Sequence, residues 1–205
     1  MIQLLSRRLK LHSVLNKNRQ GTACRQAGFT IVELIVTTSI LVIVSTLIFA
    51  NYPKFRENVS LKKTAQEIAL TIRRAQTYGL SVREFRQGTG IFPGYGVHFD
   101  IAYPDSFVLF ADINGNNAYD GTTEDIESLK IQTNEKLSSL CTNVKTSPPG
   151  SCGFNKIDII FFRPKPLVTI KADGSDFFDA EIKIVSPRGQ IKTIVILSSG
   201  QISVE

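Results

Sequence analysis

Between Phe29 and Ala50 lie 22 consecutive residues with a single charged side chain, the carboxylate of Glu33. As a helix, at about 1.5 Å per residue, this run reaches roughly 33 Å, enough to cross the hydrocarbon layer of a bilayer. An ionised carboxylate inside it costs roughly 2–3 kcal/mol or more unless it finds a partner. The run therefore reads as a membrane-spanning helix, and Glu33 as a residue kept for a purpose.

Two common kinds of apolar amino-terminal run fit less well. A secretory signal has an apolar core of roughly 7–15 residues followed by a small-residue cut site. This core is longer, and Ile48 stands where a small residue is needed before Ala50. A lipoprotein signal places its cysteine after the apolar run, whereas Cys24 precedes it. A plain transmembrane anchor is the remaining bland alternative.

The residues around Glu33 are Ala27-Gly28-Phe29-Thr30-Ile31-Val32-Glu33-Leu34. This junction of glycine, aromatic, threonine, two β-branched residues and glutamate resembles the processing site of type IV prepilins and type II secretion pseudopilins. The resemblance implies a membrane peptidase that cuts after Gly28 and N-methylates the new amino terminus at Phe29. It also implies that Glu33, fifth residue of the mature chain, sets register in a filament by meeting the terminal amine of a neighbouring subunit. The leader of 28 residues is long for that family.

Charge supports the same topology. Residues 1–28 hold six basic and no acidic residues, which accounts for the whole net charge of +6, and the remaining 18 Lys and Arg balance the 18 Asp and Glu. The excess reads as a positive-inside signal that keeps the leader in the cytoplasm, not as a nucleic-acid surface. The expected product is a single-pass protein of the plasma (inner) membrane with an extracytoplasmic head.

After Tyr52-Pro53 a helical stripe continues through Leu61, Ala65, Ile68, Ile72, Ala75 and Gly79. Pro53 should kink this helix without ending it. From Gly88 onward turn residues separate short Ile-, Val- and Phe-rich runs: 95–100, 106–111, 127–132, 157–163, 167–171, 180–186, 192–197 and 201–204. No helical pattern intervenes, which argues against a parallel α/β domain. The expected class is α+β and pilin-like, a long helix packed on a mainly antiparallel β head. Its segments would be a leader 1–28, a membrane half 29–50, an amphipathic half 51–81 and a head 82–205. The junction Arg73-Arg74-Ala75-Gln76-Thr77-Tyr78-Gly79, the order Gly96-Val97-His98-Phe99 and the terminal Lys192 to Val204 stretch look like those of GspH/FimT-like minor pseudopilins.

Cys141 and Cys152 would lie outside the cytoplasm, where disulfides persist. The ten intervening residues include Pro148, Pro149 and Gly150 and can turn back, so a disulfide is expected, with two buried free thiols as the alternative. The loop Asp112-Ile113-Asn114-Gly115-Asn116-Asn117-Ala118-Tyr119-Asp120 places oxygen ligands at the first, third, fifth and ninth positions of a calcium loop. The Ala118 carbonyl would supply the seventh. Asn117 replaces the usual glycine and Thr123 the closing glutamate, so a plain turn rich in Asn and Gly stays open beside calcium.

Enzymatic chemistry finds no footing. The mature chain has one histidine, His98, on an expected strand, and no phosphate loop or nucleophile elbow. No other cofactor is expected. The implied partners are the prepilin peptidase and methylase, other pilins in a filament, and an inner-membrane assembly platform. A DNA-uptake role for a minor pilin, or that of a major fibre subunit, are the alternatives. Residues 156–205 hold seven basic against six acidic residues, a weak footprint for DNA.

Overall fold

The computed structural model describes residues 28–81, 83–131, 134–163 and 168–205, with the backbone only at 50 and 51. Cys24 and the leader as far as residue 27 lie outside the described residues, as do Gln132 and Leu167 at the ends of two expected strands. The chain falls into an amino-terminal unit ending at Ile48 and a second unit, Phe49–Glu205. The second half of the long helix thus belongs to the same compact unit as the head.

Helix α1 spans Ile31–Leu80 and includes Pro53. A proline removes one amide donor from the helix ladder, and here the helix continues through it. In the head unit the predicted stripe is the buried one: Leu61, Ala65, Ile68, Ile72 and Ala75 are all inaccessible. Each large member contributes roughly 1.5–3 kcal/mol through burial. The stripe ends at Gly79, where an added Cβ would lie 2.2 Å from the Phe161 carbonyl oxygen. Only glycine lets the helix approach the sheet that closely.

Among the described residues the head has eleven strands in two antiparallel sheets. In chain order they are β1 Gly94–Asp100, β2 Ser106–Asp112, β3 Asp125–Lys130, β4 Lys136–Thr142, β5 Ser151–Cys152 and β6 Lys156–Phe161. The remainder are β7 Val168–Ala172, β8 Ser175–Phe177, β9 Asp179–Val185, β10 Ile191–Leu197 and β11 Ile202–Val204. One sheet runs β3-β2-β1-β6-β7-β8 and the other β11-β10-β9-β4-β5. One core joins them to α1, with Val97, Phe99, Leu109, Ile159 and Ile170 from the first sheet and Leu140, Ile182, Ile184, Ile194 and Ile196 from the second. The α+β, pilin-like expectation holds, with two sheets.

Strands β4, β5 and β8 were not legible in the pattern. β4 reads Lys-Leu-Ser-Ser-Leu-Cys-Thr, with its leucines three apart. Its register against β9 shifts between Leu137 and Ser139, and this bulge turns both leucines inward. An extra residue breaks the alternation that identifies a strand. β5 and β8 are only two and three residues long.

Candidate functional site at the amino-terminal helix

Gly28, Phe29 and Thr30 precede α1, and every residue from Gly28 to Phe49 is exposed. Thr30 caps the helix: its Oγ1 accepts the Glu33 backbone N–H at 3.2 Å, and its carbonyl accepts that of Leu34 at 3.1 Å. Thr30-Ile31-Val32-Glu33 has the spacing of a capping box, with Glu33 at the third helical position. That signal stood in the sequence beside the processing motif. It gives Glu33 a local role, because a carboxylate in the first turn opposes the positive end of the helix dipole. Among the described residues Glu33 has no ion-pair partner.

The run carries hydroxyls that lipid would not tolerate unpaired. The helix supplies acceptors for four of them, Thr37, Thr38, Ser39 and Thr46. Thr38 Oγ1 donates to the Leu34 carbonyl at 2.8 Å, Ser39 Oγ to that of Ile35 at 2.7 Å, and Thr46 Oγ1 to that of Val42 at 2.8 Å. The segment is thus polar in composition at these positions and apolar in the surface it presents. By length and composition the helix can cross a membrane, and its apolar window is not buried in the protein.

The head brings together other residues singled out in the sequence. Cys141 and Cys152 form a disulfide, their sulfurs 1.98 Å apart, between paired positions of β4 and β5. The turn inside it rests on Asp179, a fully buried carboxylate that accepts the backbone N–H groups of Val144, Lys145 and Thr146 and the Thr146 hydroxyl, at 2.7–3.0 Å. More than 30 residues separate Asp179 from that turn, so no sequence pattern announces it.

The 112–124 loop is more than a hairpin turn. Asp112 accepts the N–H groups of Gly115, Asn116 and Asn117 at 2.8–3.1 Å, and Asn117 takes a left-handed conformation with φ 59°. The side-chain amides of Asn114 and Asn116 both donate to Asp120, and the Ala118 N–H donates to Asn116 Oδ1. Glu124 accepts from the N–H groups of Ile113 and Asp120. Burial nevertheless pushes the Glu124 carboxyl above the usual range. Among the described residues no three His, Cys, Asp or Glu side chains are grouped to hold a metal ion.

Tyr119 anchors this loop as a strap over the outer side of the first sheet. Its ring lies 4.5 Å from His98 and 5.4 Å from Phe110 between centroids, and its hydroxyl donates to Asp125 at 2.6 Å. Burial, then the bond to Asp125, raises the Tyr119 phenol pKa well above its ordinary value. His98 is buried there, its Nδ1 2.6 Å from Asp158 Oδ1. Gly96 is required beneath, since a Cβ would meet the Ile159 carbonyl oxygen at 2.7 Å and the Phe110 ring at 2.8 Å. His98 is thus a packed, hydrogen-bonded imidazole on β1.

Compared with known protein families, residues 24–49 match the model described as the prokaryotic N-terminal methylation motif. No curated protein and no solved structure matches the chain. The matched residues include Gly28, Phe29, the Thr30 cap, Glu33 and most of the apolar helix. This motif, on a capped apolar helix in a chain of pilin-like α+β architecture, supports a likeness to the type IV prepilins and pseudopilins.

Proposed function

We propose that this chain is a minor pilin or pseudopilin, of the GspH/FimT-like kind, that serves protein secretion as a structural subunit of a short envelope filament. The motif match over residues 24–49 carries this reading. A prepilin peptidase cuts the peptide bond after Gly28 and methylates the amine freed on Phe29. The leader stays on the cytoplasmic side of the inner membrane and the head lies outside it. An assembly platform then lifts the subunit into the filament, where other pilins pack against its apolar helix. Gly28 and Phe29 are substrate positions, and the chemistry belongs to the peptidase. The chain itself works by assembly and catalyses no reaction.

Glu33 provides register. In a low-dielectric filament core, its carboxylate and the amine of a neighbour's Phe29 are costly apart and tolerable together. Only the axial stagger that joins them is favoured. Glu33→Ala is expected to leave cleavage intact, with the mature chain starting at Phe29, while removing the subunit from sheared filaments. Normal incorporation of that variant would overturn the register role. A Gly28→Arg chain that still matures to Phe29 would overturn the cleavage site.

A further inference from the structure

Where the head unit begins, a shallow cavity of about 360 Å³ opens between α1 and the turn after β9, with Arg56, Glu57, Ser60, Glu135 and Arg188 in its wall. Glu135 is 98% buried, at 2% relative exposure, yet faces the cavity. Among the described residues its carboxylate has one hydrogen bond, a long one of 3.4 Å from Thr64 Oγ1. A carboxylate so thinly satisfied calls for a cation or a strong donor. Glu57, in contrast, is well held: it accepts the Arg188 N–H at 2.8 Å and lies 3.5 Å from Arg188 Nε. A hydrogen bond from Ser186 and those from Arg188 keep its carboxyl below the usual range.

The cations of the site keep donors unpaired among the described residues. There Arg188 pairs with Glu57 through its Nε, and its terminal nitrogens have no partner. Arg56 lies 5.9 Å from the Tyr52 ring centroid and has no carboxylate at ion-pair distance among the described residues. Two guanidinium-bearing residues and one thinly satisfied carboxylate in the wall of one cavity form a dipolar cradle. Guanidinium suits phosphate oxygens, and a buried carboxylate suits a primary ammonium. In sequence, Pro53 and Arg56 follow the last residue of the apolar run by three and six positions.

We infer that this cavity binds the phosphoethanolamine headgroup of a membrane phospholipid, with Arg56 and Arg188 on the phosphate and Glu135 on the ammonium. The inference rests on the reading of residues 29–50 as a membrane segment. It discriminates between headgroups by chemistry. Phosphocholine has the same charges, but its quaternary nitrogen has no N–H to donate to Glu135. Phosphoglycerol offers no cation at all. Losing a charge-assisted hydrogen bond of roughly 1.5 kcal/mol corresponds to about a tenfold weaker interaction.

The test uses the full chain in phosphatidylcholine nanodiscs doped with a photoactivatable phosphatidylethanolamine that keeps its primary amine. Crosslinks are expected on peptides containing Arg56 and Arg188. Unlabelled phosphatidylethanolamine should compete about tenfold better than phosphatidylcholine or phosphatidylglycerol. Glu135→Gln and the exposed-site change Arg56→Gln should each reduce the crosslink, and the second does so with no demand on the core. A chain that inserts but shows equal competition by the three lipids, or crosslinks elsewhere, overturns the headgroup site alone. A chain that enters no bilayer overturns the membrane reading and the site with it.

Discussion

Glu84 illustrates how a single half-buried carboxylate can organise a loop. It accepts the Gly90 N–H across the turn that follows α1. Hydrogen bonds from Gly90, then Gly88 and Thr89, hold its carboxyl below the usual range. A folded-state pKa lowered below the unfolded value gives stability that is present above that unfolded value and lost as pH falls through the folded one. Protection of the 88–90 amides against hydrogen exchange should therefore fall on acidification through the carboxylate range. The fall should vanish in Glu84→Gln, and an unchanged acid dependence in that variant would refute the assignment. At this scale, legibility followed sequence distance. Gly28, Phe29, Glu33 and the Thr30 cap lie within six positions of one another and could be read together. His98 with Asp158, and Asp179 with the 144–146 turn, pair groups 60 and about 34 residues apart. Nothing local in either partner points to the other.

The elements of the head depend on two devices of unequal visibility. The Cys141–Cys152 bridge was foreseen from compartment and spacing. It closes a short loop of sequence separation 11, for which chain entropy gives about 3 kcal/mol. Reduction, or a Cys141→Ser/Cys152→Ser double change, should lower the head's unfolding free energy by about 2–3 kcal/mol in denaturant titrations. Equal midpoints with and without reductant would count against that. The 112–124 strap was visible only as a run of turn residues with calcium as one option. In the folded chain its oxygens are taken up by its own N–H groups and amides, and Tyr119 ties it down by packing. We therefore expect calorimetry on the full chain to give no heat with millimolar calcium. Binding that is lost in Asp112→Ala would restore the calcium reading. Strand β4 escaped for a different reason. Its bulge moved Leu140 into the phase of Leu137, so the apolar spacing imitated no strand.

For the molecule as a whole, the charge ledger and the tertiary contacts agree on one point. Residues 29–205 are balanced in charge, and four basic residues of the carboxyl-terminal part already have oxygen partners. Lys156 faces Asp100 at 3.6 Å, Lys183 faces Glu181 at 3.7 Å, Arg188 faces Glu57, and Lys171 donates to the Asn116 carbonyl at 2.8 Å. Nucleic-acid affinity grows with the number of cations free to displace counterions. The processed chain beginning at Phe29 should therefore not retard duplex DNA in a low-salt mobility shift. A retarded band abolished by charge reversal at these lysines would favour a DNA-uptake role. By itself the sequence determined the class of the protein, the apolar helix, its cap and carboxylate, and the buried stripe from Leu61 to Gly79. Those features are periodic or contiguous, and local physics sets them. Only the tertiary structure decided that the described strands form two sheets, that the 112–124 loop is a strap, and that Glu135, Arg56 and Arg188 line one cavity. Each depends on strand register and on contacts between distant residues, whose free energy no local pattern records.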